Sequence, residues 1–390
     1  MEKDPPPPIL GEPDRKDQAG PTSPGLGAGG LRLLMTADAV GGVWTYALDL
    51  ARALAPHDVS VALATMGRLP TPAQRAEANA IYNLTLHPSA FALEWMADPW
   101  EDVARAGDWL RELEKDLEPD LIHLNGYAHG ALPWRMPTLV AGHSCVLSWW
   151  RAVHGEDAPP AWDRYQSEVR RGLRAAGRVV APTRAMLDAL DTHYGPFAAG
   201  QVIPNGRDLS AFAPGEKQPF VFSAGRLWDE AKNIAALDAA ASGLPWPVLV
   251  AGDTAHPSGE SATPAHVRLL GCLTPAQVAG RLTRAAIYAL PARYEPFGLS
   301  ALEAGLSGCA LVLGDIPTLR EVWGDAALFV PPDDPDALRA ALCRLIEDKG
   351  LREEMGICAC SRAQAYTLER MAEGYLEAYQ ALTQEKVVCA

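Results

Sequence analysis

Short apolar runs recur along the chain, at 31–35, 59–64, 84–87, 121–124, 138–141, 178–181 and 201–203, then again at 220–224, 248–252, 267–270, 286–290, 311–313 and 328–330. Runs this short, apolar on both faces, suit buried parallel strands. Between them, 43–54, 100–117, 162–176 and 184–193 repeat apolar residues at the period of a helix packed on one face, and a further helix begins at 234. Strands alternating with helices predict an α/β fold with doubly wound parallel sheets.

Punctuation along the chain divides the pattern. Residues 1–30 are rich in Pro, Gly and charge and predict a disordered tail. Its glycine run, 25–30, precedes the first strand, whereas a dinucleotide fingerprint must follow one, so it carries no weight. The stretch 202–215 is dense in Pro, Asn and Gly and reads as a junction between two sheets. The expected organisation is an N-terminal domain at 31–205, a C-terminal domain at 206–365 and a closing segment at 366–390. The last helical pattern, 361–384, is long enough to reach back to the first domain. Residues 146–162, with Trp149, Trp150 and two prolines, read as a long loop with the dimensions of a lid.

Composition narrows the function. A formal charge of −14 over 390 residues, with no basic patch interleaved with aromatics, argues against a nucleic-acid surface. Arg170, Arg171, Arg174 and Arg178 fit one solvated helix face, and peripheral contact with anionic lipid stays open. No apolar run is long enough to span a bilayer, and the tail holds four consecutive prolines where a signal peptide would need a hydrophobic core, so a cytoplasmic chain is expected. The seven cysteines are scattered and include no Cys-x-x-Cys pair, which indicates neither a disulfide framework nor a structural zinc site. Asp334-Pro335-Asp336 precedes a helix and reads as an N-cap. Neither a metal nor a cofactor is expected.

The candidate chemistry lies where strands end, the ligand-binding edge of open α/β sheets. After the run at 286–290 come Glu295 and, eight residues later, Glu303, on either side of a helix start whose free N–H groups near Phe297, Gly298, Leu299 and Ser300 favour an anion. Carboxylates beside a phosphate make sense as acceptors from hydroxyl groups, which points to a sugar nucleotide; a helix-cap acid and a solvated acid are the plainer alternative. Arg226 leaves one strand and Lys232 follows one loop later, two cations suited to a diphosphate or else to ion pairs with Asp229 and Glu230. Gly41-Gly42 forms a strand-to-helix turn that lets backbone approach a ligand closely. His143 leaves the 138–141 strand beside a glycine, while His123 reads as structural. Asn125 and Tyr127 follow another strand end, and Trp149 and Trp150 offer aromatic faces for an acceptor, or else core.

The string from Glu295 through Pro296, Phe297, Gly298 and Leu299 to Glu303 and Ala304 resembles the Glu-x7-Glu signature of glycosyltransferase family four, retaining enzymes with the two-domain GT-B fold. Gly41-Gly42, His143, Ile203-Pro204-Asn205-Gly206-Arg207-Asp208 and Gly225-Arg226-Leu227 followed by Lys232 resemble other family motifs, in the family's order. Arg207 stands where the family usually has an apolar residue. The resemblance implies two Rossmann-like domains facing a cleft and transfer of a hexosyl group from a nucleoside-diphosphate sugar to a carbohydrate or other hydroxyl acceptor. It assigns Glu295 and His143 to the hexose, Glu303 to the ribose, Arg226 and Lys232 to the leaving diphosphate, Gly42 to the donor phosphate and Leu273 to the base. It also implies a final helix crossing back to the first domain. An inactive transferase-like partner subunit, or another GT-B enzyme such as a sugar-nucleotide epimerase, is the alternative.

Overall fold

The computed structural model describes residues 30–39, 41–253 and 264–389, with side chains through 384. The expected tail, apart from Gly30, and its glycine run lie outside the described residues. Strands β1 (Leu31–Asp38), β2 (Val59–Met66), β3 (Leu84–Pro88), β4 (Leu121–Leu124), β5 (Thr138–Ala141), β6 (Arg178–Ala181) and β7 (Gly200–Val202) form one parallel sheet in the order β3-β2-β1-β4-β5-β6-β7. Strands β8 (Gln218–Ala224), β9 (Val248–Ala251), β10 (Arg268–Leu269), β11 (Ala285–Leu290), β12 (Ala310–Gly314) and β13 (Leu328–Val330) form a second, in the order β10-β9-β8-β11-β12-β13. Each sheet is buried on both faces by helices, and the last helix of the chain joins those covering the first sheet.

Both sheets wind the same way. The chain runs outward, β1 to β3 and β8 to β10, then returns to the other side of its starting strand as β4 and β11. That reversal leaves a crevice beyond the carboxyl ends of β1 and β4, and another beyond β8 and β11.

Several elements differ from expectation. The strand expected at 267–270 shortens to two residues because the Asp238 carboxylate takes the N–H groups of Ala265, His266 and Val267. The segment expected as a lid loop is a helix, Val146–His154, followed by a turn, Pro160–Trp162. Cys145 Sγ accepts the Ser148 N–H at its start, left-handed Gly155 stops it, and the prolines fall beyond that stop. Residues 361–384 belong to two helices, Lys349–Ala363 and Leu368–Cys389.

The chain leaves the first sheet and returns to it at one crossing. Arg207 N–H donates to Tyr366 O (3.1 Å), and Arg207 bridges Thr367. Glycine is needed at 206, since a Cβ there would stand 2.1 Å from Thr367 O. The final helix then lays Met371, Tyr375 and Tyr379 against the first helix, Gly42–Leu54, in the core of the first sheet.

Candidate functional site

The turn after β1 is held by Asp38, whose carboxylate accepts the Gly41 N–H (2.9 Å). A Cβ on Gly41 would lie 3.6 Å from Arg226 Nη1, and one on Gly42 would lie 3.8 Å from a Leu299 methyl. The glycine turn of the first sheet therefore faces, across the cleft, two residues singled out at the strand ends of the second. Side chains at 41 and 42 would fill the space between them.

On the second sheet, β8 ends in Gly225-Arg226. Arg226 pairs with Asp229 (2.8 Å), lies over the Trp228 ring (5.2 Å) and keeps 43% of its side-chain surface exposed. Lys232 does not pair with Glu230, as one alternative had it. It crosses to Glu295, Nζ to Oε2 2.5 Å, with both groups largely buried. Asp229, considered at the sequence level only as an ion-pair partner, is a hub: it also accepts the Trp149 indole N–H (3.0 Å) and its own turn's Ala231 N–H (3.1 Å).

Glu295 follows β11 and is fixed at three points. Its carbonyl accepts from the Thr318 hydroxyl (2.6 Å), its Oε1 from the Gly298 N–H (3.1 Å), and its Oε2 meets Lys232. Gly298, at φ 91°, turns the chain into the helix Leu299–Leu306. Phe297 is buried edge-on against Tyr366 (5.4 Å), so only its backbone can meet a ligand. Leu273, just beyond β10, is partly buried against the core of the second sheet. Glu303, one helix face further on, is paired with Arg207 (2.8 Å), which also binds Asp49 of the first helix. Burial, and Asp49 nearby, raise the Glu303 pKa; Arg207 pulls it down and offsets part of the rise.

His143 follows β5. Its Nε2 stands 2.8 Å from Asn125 Oδ1, and its ring packs on Tyr46 (4.3 Å). The Asn125 amide donates to Thr36 O (2.7 Å), which turns its oxygen toward the histidine. The proton is thereby assigned to Nε2, leaving Nδ1 a bare acceptor. Burial lowers the His143 pKa to about 4, so the ring is neutral near pH 7. His123 is the structural histidine expected, set between the hydroxyls of Tyr379 (2.7 Å) and Tyr46 (3.3 Å).

The acceptor residues fare differently. Tyr127 is buried, its hydroxyl donating to Ser144 O (2.6 Å) and its N–H bound by Glu94, so it is core and not a cleft surface. Asn125 is spent on His143 and Thr36. Trp149 spans the two lobes through Asp229, and Trp150 packs on His154 (4.4 Å). Across the same seam, the Tyr294 hydroxyl accepts the Cys145 N–H (3.0 Å) and Pro296 O accepts from Thr183 (3.0 Å). Among the described residues no helix is long and apolar enough to cross a membrane.

Comparison with known proteins bears on the family and the fold. Residues 40–211 match the family described as Glycosyltransferase Family 4, and residues 207–360 match Glycosyl transferases group 1. The chain is 27% identical to a D-inositol 3-phosphate glycosyltransferase from Nocardia farcinica over 390 residues, 89% of this chain and 86% of that one. It is 31% identical to a phosphatidyl-myo-inositol mannosyltransferase from Mycolicibacterium smegmatis over 202 residues, 46% of this chain and 52% of the other. Among solved structures, sucrose-phosphate synthase from Thermosynechococcus elongatus superposes with a TM-score of 0.75 at 19% identity, over 91% of this chain and all (100%) of that one. Anabaena HepE in complex with UDP-glucose gives 0.69 at 17% identity, over 90% and 100%. Identities this low show the fold alone, and that fold is GT-B. The two matched families meet at the junction and together run from the glycine turn through most of the second lobe, so the chain belongs to glycosyltransferase family 4.

Proposed function

We propose that this glycosyltransferase moves a hexosyl group from a nucleoside-diphosphate sugar to an acceptor hydroxyl with retention of anomeric configuration. The observation that carries the reading is the meeting of Arg226 with Gly41 across the cleft, beside the Lys232–Glu295 pair. Departure of a diphosphate is the demanding step, and fixed positive charge stabilises it as it leaves. Arg226 supplies a planar fork, Lys232 a point charge, and Phe297 and Leu299 backbone N–H groups at the helix start. Glu295 and the bare Nδ1 of His143 accept from hexose hydroxyls, and Glu303 from the ribose.

Both Glu295 oxygens are already engaged, by Lys232 and by the Gly298 N–H, which suits an acceptor of hydroxyl protons better than a nucleophile. Front-face attack follows, with the departing phosphate oxygen taking the acceptor's proton. Asp334 of the Asp-x-Asp triplet caps a helix by accepting the Ala337 N–H (2.8 Å), so charge neutralisation is assigned to Arg226 and Lys232 and turnover is expected in EDTA. The relatives from Nocardia farcinica and Mycolicibacterium smegmatis are named for phosphorylated inositols, and a phosphorylated polyol is the first acceptor to try.

The test is release of nucleoside diphosphate from UDP-, GDP- and ADP-glucose and -mannose, with EDTA present, by the full chain and by Glu295→Ala. Loss of a transition-state hydrogen-bonding group should lower turnover at least about 100-fold. Equal, background-level turnover in both proteins would sink the reading and favour an inactive partner subunit.

A further inference from the structure

Arg207 sits at the crossing between the lobes, and its guanidinium binds a carboxylate from each: Glu303 of the second lobe through Nη2 (2.8 Å) and Asp49 of the first through Nη1. All three side chains are largely buried, 13% exposed for Arg207, 15% for Glu303 and 6% for Asp49. The other Asp49 oxygen takes Arg52 (2.9 Å), so two acids are balanced by two bases. The Arg207 stem is held as well. Its backbone is tied to Tyr366 and Thr367, and its guanidinium lies over the Phe212 ring (5.2 Å). Among the described residues, Arg207 meets the Glu303 carboxylate at Oε1.

We propose that Arg207 is a positioning residue: it grips Glu303 by one oxygen, keeps it ionised, and leaves the other oxygen aimed at the ribose only while the first helix's Asp49 holds the far end of the fork. The inference rests on the reading that Glu303 receives the nucleotide's ribose. The physical case is one of charge and geometry. Without Arg207, two buried carboxylates would face each other with only partly exposed Arg52 to oppose them, and Glu303 would be easier to protonate and free to rotate. A neutral carboxyl is a weaker acceptor than a carboxylate, and a mobile one pays for ordering when the ribose binds. A lysine at 207 would keep the charge but, as a point cation, would not span both acids. Because the fork joins the lobes, ribose recognition in this chain is coupled to their closure.

The experiment is titration calorimetry of the full chain with UDP, GDP and ADP, and then with the 2′- and 3′-deoxy forms of whichever binds. Wild type should prefer the ribose form about tenfold or more, the size of a hydrogen bond to a charged acceptor. Arg207→Met should bring that ratio close to one, Arg207→Lys should restore part of it, and Glu303→Gln should abolish the further effect of Arg207→Met. Arg207→Gln, neutral and of similar size, replaces Arg207→Met if the latter does not fold. A purely structural arginine would weaken ribose and deoxyribose forms alike, so an unchanged ratio in the folded variants overturns the role of Arg207. Failure of wild type to bind any of the three nucleotides overturns the donor reading itself, and this inference with it.

Discussion

Asn125 determines which nitrogen of His143 bears a proton, because its own amide is committed to Thr36 O and only its oxygen is left for the ring. A carboxylate at that position would still accept from Nε2 but would also favour the imidazolium. Asn125→Asp should therefore raise the His143 pKa from about 4 toward neutrality and convert Nδ1 from acceptor to donor. Nitrogen-15 NMR of the ring should show Nε2–H alone in wild type at pH 7, and the acid limb of kcat/KM should move upward in the variant. A ring already doubly protonated in wild type at pH 7 would defeat the assignment. His143 itself was legible at a strand end beside a glycine. Its partner was not, since nothing in Asn125-Gly126-Tyr127 says which side chain turns to the cleft and which, like Tyr127, turns to the core.

At the scale of elements, the helix Leu299–Leu306 depends on one glycine. Gly298 holds φ 91° and donates its N–H to Glu295, so the turn that starts the helix also aims the carboxylate. Gly298→Ala should destabilise the protein by about 1–2 kcal/mol, the cost of a side chain in left-handed backbone. Chemical denaturation would measure this, and a fall in kcat at saturating donor would report the misaimed Glu295; an unaltered stability would mean that the turn relaxes freely. This element could be read from sequence because a buried strand, a Pro/Gly turn and a small-residue helix each leave a local mark. The helix Val146–His154 left no such mark: its cap is a cysteine sulfur, and neighbouring prolines gave the whole stretch the composition of a loop.

For the whole molecule, the packing of the final helix on the first sheet sets how stability responds to acid. That helix supplies Tyr379, and with Tyr46 it encloses His123, whose pKa burial lowers to about 3; His143 beside it falls to about 4. The unfolded chain takes up both protons near pH 6.5, so between that value and the folded pKa values it binds more protons than the native state. Stability is therefore present above pH 6.5 and is lost as pH falls toward 4. Glu94, Asp49 and Glu303, whose pKa values burial raises, act in the opposite sense. A variant isolates the histidine: His123→Phe should flatten the pH dependence of unfolding free energy between 4 and 6.5 by up to about 1.4 kcal/mol per unit. Urea denaturation at several pH values measures the slope, and equal slopes in the two proteins would contradict it.

What the sequence determined by itself was local: where strands end, which helices are amphipathic, which turns need glycine, and so the α/β class and the cationic, acidic and imidazole groups at the strand ends. These follow from periodicity and backbone sterics, which act over a few residues. Tertiary structure alone decided the partners. Lys232 reached Glu295 across 63 residues, Arg207 joined Asp49 to Glu303, and Trp149 found Asp229 from the other lobe. Which acid meets which base depends on how two separately wound sheets are set against each other, and that orientation is fixed by long-range packing at the crossing and along the final helix, where the chain order gives no period to read.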